Sequence, residues 1–345
     1  MDRWRVKAWV TRGLSLALAG AFGAASFWLA APVAAEPLNA GLAPMNVDNP
    51  LGGPPMSAAV FYPTPAAAET TEMGPYVMDA AQMAPVAPGR YPLVLISHGS
   101  GGTRFTHHDL ASHLARQGMI VAALSHAGDS AFDHLGMARE VVLVGRVHQL
   151  LALLDGLLAH PTFAPLIDAD RIGVAGASTG AYTALLAAGA KPDFGRFAEY
   201  CAAEPRDPLI CKGGPALPQI RRGFEVRADK RIRAAVLMAP ALNFLFDGAA
   251  LAPVAIPLRL YRAGADEIVP APFDADHIRR NLPKEPEYQV LEGTSHYAFI
   301  APCSAALAQG VPEICRDPPA IDRAALHRRL NAEIGNFFVR AFGRP

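Results

Sequence analysis

The sequence predicts an α/β domain: a mostly parallel central sheet with helices on both faces. Three observations carry this expectation. Short apolar runs bounded by turn residues alternate with helix-like segments from residue 57 onward. One of them, Leu93-Val94-Leu95-Ile96, is apolar at successive positions, as a strand buried on both faces should be. The run Gly176-Ala177-Ser178-Thr179-Gly180 lies between a β-like segment at 171–175 and a helix-like segment at 181–188.

Taken in chain order, the elements begin after a leader. Arg3, Arg5, Lys7 and Arg12 precede an Ala/Leu/Phe-rich stretch that carries no charge until Glu36 and ends Pro32-Val33-Ala34-Ala35. This is the pattern of a secretory signal, so residues 1–35 are expected to be cleaved and the chain exported, periplasmic or secreted. Kept uncleaved, the same segment would tether the chain to a membrane. Residues 36–56, rich in Pro, Gly and Asn, read as a linker or extended arm, and residues 57–345 as one domain. Strands are expected at 57–62, 91–97, 119–124, 171–175, 232–238, 258–262 and 288–291. Helices are expected at 106–117, ending at Gly118, at 138–159 with Val142, Val147, Leu150, Leu151 and Leu154 on one face, and at 323–342. Residues 191–230, with several prolines and many charges, break the alternation and read as a cap-like insertion or a stapled surface loop.

Bulk properties narrow the function. The formal net charge is zero and no basic run exceeds Arg221-Arg222, so no nucleic-acid partner is expected. An exported chain should pair its cysteines. Of the three connectivities, the local one, Cys201 with Cys211 and Cys303 with Cys315, closes two short loops and is the expected pairing. No C-x-x-C spacing points to metal. His108 and His113 are five apart on a helix and would not share a face, so His107, His108, Asp109 and His113 are not expected to hold a metal.

The run around Ser178 is the nucleophile elbow of the α/β-hydrolase fold: a serine on a sharp strand-to-helix turn, with glycines where strand and helix cross closely. A serine hydroxyl needs a base, and the base an orienting carboxylate. In this fold the order is Ser, acid, His. Asp266 leaves the strand at 258–262, with Glu267 as its neighbour and alternate. Asp274 and Asp276 fall where they would cap the next helix. His296 lies in a small-residue loop after the last strand, whereas His277 and His327 lie in helical segments. The oxyanion needs pre-aligned N–H donors. Thr179 supplies one. The other comes from Ser97-His98-Gly99-Ser100-Gly101-Gly102, with Ser100 the first choice and Gly99 or Gly101 the alternates; His98 braces that loop. This glycine loop lacks the Gly-Lys-Ser/Thr and G-x-G-x-x-G patterns of phosphate cradles, and no cofactor is expected. His126 and Asp129, after the strand at 119–124, are expected to serve a turn, with lining of the pocket as the alternative.

The combination of Pro92–Gly102, Gly176–Gly180, Asp266 and Ser295-His296-Tyr297 resembles the bacterial "predicted dienelactone hydrolase" family, α/β-hydrolases related to platelet-activating-factor acetylhydrolases. The resemblance spans about residues 57–342 and includes Ala301-Pro302-Cys303 and Ile314-Cys315-Arg316-Asp317-Pro318-Pro319. It implies the triad Ser178, Asp266 and His296. Dienelactone hydrolases themselves use cysteine as nucleophile, so Ser178 argues against that reaction. The resemblance implies a serine hydrolase of carboxylic esters, with polyesters or phospholipid acetyl groups as alternative substrates. A binding protein that kept the scaffold is the non-enzymatic alternative, and it should have lost a triad member.

Overall fold

In the computed structural model, the described residues are 37–343, apart from 208, 212–217, 219, 222, 223 and 270. The expected leader at 1–35 lies outside them. Among the described residues, the strands are β1 (Asn39–Val47), β2 (Met56–Thr64), β3 (Glu69–Met73), β4 (Tyr76–Gln82), β5 (Tyr91–Ser97), β6 (Ile120–Leu124), β7 (Asp129–Ser130), β8 (Asp133–His134), β9 (Ile167–Ala177), β10 (Ile232–Met238), β11 (Leu258–Ala263) and β12 (Glu287–Leu291). The helices are α1 (His108–Arg116), α2 (Arg146–Ala159), α3 (Thr179–Ala187), α4 (Arg196–Ala203), α5 (Gly248–Leu251), α6 (Ala275–Asn281), α7 (Ala305–Gly310), α8 (Pro312–Cys315) and α9 (Arg323–Phe342).

The main sheet runs in the order β12-β11-β10-β9-β5-β6-β2-β1-β4-β3. From β12 to β6 every pairing is parallel; β2 then turns antiparallel to β6 and β1. Side chains alternate across the sheet, and the apolar run of β5 is divided accordingly. Leu93 and Leu95 join a core with α2 and α3, while Val94 and Ile96 join a second core with α1 and α9. The helices therefore cover both faces, as the sequence predicts.

Three segments differ from expectation. The arm at 36–56 is no linker over Asn39–Val47, because β1 pairs with β2 along its whole length. Its Ala40 and Leu42 enter one core and its Ala43 and Val47 the other, an alternation that Gly41 and Pro44 obscure in the sequence. The connection at 65–90 holds β3 and β4, which extend the sheet edge. The helix expected at 138–159 begins with a π turn at Val141–Gly145 and becomes regular only at Arg146. Both disulfides have the expected local pairing, with Cα separations of 5.5 Å for Cys201–Cys211 and 5.8 Å for Cys303–Cys315.

Candidate active site

Every sequence-predicted site residue lies beyond the C-terminal end of a parallel strand, the edge where ligands bind in sheets of this kind. Ser178 follows β9, the glycine loop with Ser100 follows β5, Asp266 follows β11 and His296 follows β12.

Ser178 has φ 54° and ψ −123°, a left-handed conformation that costs energy for a non-glycine residue and turns the chain sharply from β9 into α3. The flanking glycines are obligatory. A Cβ on Gly176 would sit 2.2 Å from Gly180 O, and one on Gly180 would sit 1.9 Å from Ser97 O. The segment after β10 shares the strain: Ala239 (φ 40°) and Leu242 (φ 58°) flank Ala241, whose N–H donates to Ser178 O at 3.2 Å. Positive-φ residues of this kind collect at functional sites because the surrounding structure must hold them there.

Asp266 and His296 are in direct contact. His296 Nδ1 lies 2.8 and 3.0 Å from the two carboxylate oxygens, and both side chains are nearly buried. The carboxylate is fixed in turn by the Ile268 and Val269 amides, which donate to Oδ1 at 3.0 and 2.8 Å. The two loops are stitched together where Gly264 N donates to Leu291 O and Ala265 N to Thr294 O, each at 2.9 Å. Glu267 is oriented differently: its Oε2 accepts the His296 backbone N–H at 3.1 Å. The acid on the imidazole is therefore Asp266, and its neighbour holds the histidine's backbone.

Ser178 and His296 line one cavity of about 380 Å³, together with Gly99, Ser100, Gly101 and Gly102. Thr179 opens α3, so its amide has no acceptor within the helix. Leu209, from the expected insertion, reaches this cavity from one side, and Leu307, Val311 and Ile314, inside the Cys303–Cys315 loop, wall it from another. Arg323 clamps that second loop by donating to Ile314 O and to Asp317.

Beneath the glycine loop at 98–102 lies a polar network not expected from the sequence. Arg146 is fully buried. Its Nη1 donates to Asp129 and to Thr179 Oγ1, and its Nη2 to Ser97 Oγ and His98 O. Asp129, also fully buried, accepts from Ser100 Oγ at 2.6 Å, and His134 Nε2 lies 2.8 Å from the same hydroxyl. One guanidinium thus touches both sides of the expected oxyanion hole. Asp129 serves this ion pair as well as its loop, which corrects the turn role expected for it. The signal was an arginine in the midst of the apolar run Val141–Leu154.

The proton positions in this network follow from its partners. His126 N donates to His98 Nε2 at 3.0 Å, so His98 carries its proton on Nδ1 and gives it to Gly99 O. His126 Nδ1 faces Gln149 Oε1 and therefore donates, leaving Nε2 to accept from Ser97 Oγ. Both imidazoles are neutral. Burial, reinforced by the Arg146 charge, pushes them well below the ordinary histidine range. His98 braces the loop, as expected from the sequence.

Residues at the start of α1 are hydrogen-bonded to α9 and to the turn after His296. Asp109 is committed to His327 Nδ1 and Asn331 Nδ2, each at 2.7 Å. His327 also donates from Nε2 to Ala298 O, so both its nitrogens carry protons. Burial opposes that charge, but Asp109 outweighs it and holds the His327 pKa above the usual value. His107 Nδ1 donates to Phe299 O. This cluster backs the short helical turn that starts at His296.

Comparison with known proteins bears on the fold. The family model of platelet-activating factor acetylhydrolase, isoform II, matches residues 66–142, a stretch that holds the glycine loop with Ser100, Asp129 and His134 and stops short of Ser178. A search of curated proteins finds no match. Among solved structures, a ferulic acid esterase from Streptomyces cinnamoneus superposes with a TM-score of 0.61 at 21% identity, covering 90% of this chain and 92% of that one. The chain has the α/β-hydrolase fold and, over residues 66–142, is similar to the platelet-activating factor acetylhydrolase family.

Proposed function

We propose that the chain is an exported serine hydrolase of carboxylic esters. The observation that carries this reading is the Asp266–His296 pair on the wall of a cavity shared with a strained Ser178. The family of the matching model and the solved neighbour, both named for ester hydrolysis, support it.

In this reading Ser178 Oγ attacks the ester carbonyl and His296 Nε2 takes its proton. Asp266 holds the Nδ1 proton and stabilises the imidazolium that forms. The Ser100 and Thr179 amides receive the developing oxyanion, each such donor being worth roughly 3–4 kcal/mol of barrier. The alcohol leaves with the proton from His296. Water, activated by the same base, then attacks the acyl-enzyme and frees Ser178. Two disulfides suit an oxidising compartment, and removing residues 1–35 would leave 27 basic against 30 acidic residues in the mature protein.

The test is hydrolysis of p-nitrophenyl esters from acetate to palmitate by the mature protein, with Ser178→Ala alongside. Turnover that disappears in Ser178→Ala is expected. No turnover on any ester by folded, disulfide-intact protein would instead favour the binding-protein alternative.

A further inference from the structure

The cavity at Ser178 has a neighbour. Met137, Leu209 and Ile268 wall it and also wall a second cavity of about 390 Å³. The second chamber approaches the nucleophile from the β10 side. Its wall includes Ala241, whose N–H is bonded to Ser178 O, and continues through Leu242, Asn243 and Phe244. The three shared side chains therefore stand between two adjoining chambers that both abut the elbow.

The chemistry of the second chamber is aromatic. Tyr200 and Phe244 stack with ring centroids 3.9 Å apart, and Phe273 meets Tyr200 nearly edge-on at 5.1 Å. Its acids are engaged: Asp207 accepts from Tyr200 Oη at 2.7 Å and from Leu209 N at 2.8 Å, and Glu267 accepts from His296 N. With Glu204 they outnumber Arg206 among the charged wall residues, which disfavours an anionic group. Each chamber alone lies within the roughly 300–1,000 Å³ range of small-molecule sites, so an acetyl group would leave either nearly empty.

We propose that the second chamber is a subsite for a neutral, ring-sized aromatic arm of the ester, so that preferred substrates carry bulk on both sides of the scissile carbonyl. This rests on the ester-hydrolase reading above. Tyr200, Leu209 and Ile210 come from the stapled insertion, which gives that segment a function in substrate selection. Burying a ring against Phe244 and Phe273 should favour binding through apolar area and edge-to-face contact.

The test compares kcat/KM for p-nitrophenyl acetate and p-nitrophenyl 3-phenylpropanoate in the mature enzyme and in two variants, Ile210→Trp, which narrows the chamber, and Phe273→Leu, which removes a ring edge. The phenylpropanoate should exceed the acetate by tenfold or more. The ratio should fall at least fivefold in whichever variants fold, shown by an unchanged near-ultraviolet circular dichroism spectrum apart from the altered ring. Equal rates on the two esters, or a ratio untouched by both variants, would overturn the subsite while leaving the esterase in place. Failure on both esters would remove the esterase reading and the subsite with it.

Discussion

Arg146 Nη1 donates to Thr179 Oγ1 at 3.2 Å, joining the first turn of α2 to the residue that follows Ser178. Through the same guanidinium the glycine loop after β5 is held at Ser97 and His98, and Asp129 carries the hold on to the Ser100 hydroxyl. Ser100, through Asp129, and Thr179, directly, are thus tied to one fully buried side chain. Burying a guanidinium and a carboxylate is costly, and the pair stays favourable only while both partners are present.

The first prediction concerns that pair. Arg146→Met leaves Asp129 as an unpaired buried charge and should cost about 3–5 kcal/mol. The double variant Arg146→Met/Asp129→Leu should be more stable than Arg146→Met alone, the two sites being in contact and non-additive. Arg146→Lys keeps the charge and loses the fork that spans both sides of the hole. On p-nitrophenyl esters it should lower kcat by about tenfold or more with little change in KM, as loss of an interaction made in the transition state does. Urea titrations and steady-state kinetics check these outcomes; an increase in KM at constant kcat would show that Arg146 shapes the pocket instead.

The adjacent acids Asp266 and Glu267 give the second prediction. Asp266 faces the imidazole and Glu267 the backbone N–H of the same histidine. Asp266→Asn should lower kcat by roughly 10³–10⁴-fold, because an amide no longer selects the Nδ1-protonated tautomer. Glu267→Gln can still accept from His296 N through its carbonyl oxygen and should cost less than tenfold. The reverse ranking in a kcat comparison would move the acid role to Glu267.

What was legible in the sequence follows a physical rule. Ser178, Asp266 and His296 are marked by local patterns: glycines a fixed step from the serine, and an acid and a histidine just beyond apolar runs. Such features depend on a few neighbouring residues. Arg146 is different, because its meaning comes from the convergence of Ser97, His98, Asp129 and Thr179, which are far apart in the chain. β1 stayed hidden where Gly41 and Pro44 interrupt the alternation that packing nevertheless enforces, and β3 because Thr71 is its only buried residue. The cavity walls at Leu209 and at Leu307–Ile314 were unreadable for another reason. Their places are set by disulfides and by Arg323 rather than by periodicity.

That dependence makes the Cys303–Cys315 disulfide the third prediction. Its closed loop carries Leu307, Val311, Glu313 and Ile314 to the wall of the cavity that holds Ser178 and His296. Cys303→Ser/Cys315→Ser should cost about 3 kcal/mol in the chain-entropy picture for a loop of this length. It should also raise KM for a p-nitrophenyl ester more than it lowers kcat, since the loop walls the pocket while the hydrogen bonds that hold Asp266 and His296 come from other segments. Equal KM in the two proteins would mean that Arg323, bonded to Ile314 O and Asp317, suffices to hold the wall.

The last prediction is a pH dependence of stability that the buried histidines impose. Burial pushes His107 down to about 4 and drives His98 and His126 well below the ordinary range. Between about pH 6.5, where an unfolded histidine titrates, and pH 4, the unfolded chain binds protons that the native state refuses. The unfolded state holds more protons, so stability rises with pH across this window and is lost as pH falls. For His107 alone the gap between 6.5 and about 4 corresponds to on the order of 3 kcal/mol. His327 acts in the opposite sense. Its raised pKa stabilises the fold fully below about pH 6.5 and is lost as pH climbs through its native value, so it cannot offset acid loss by the other three. Urea midpoints should therefore drop steeply from pH 7 to pH 4. His107→Gln, which keeps a donor for Phe299 O and removes the titration, should be less stable at pH 7 yet show a shallower decline. Parallel curves for the two proteins would mean that His107 is not what refuses the proton.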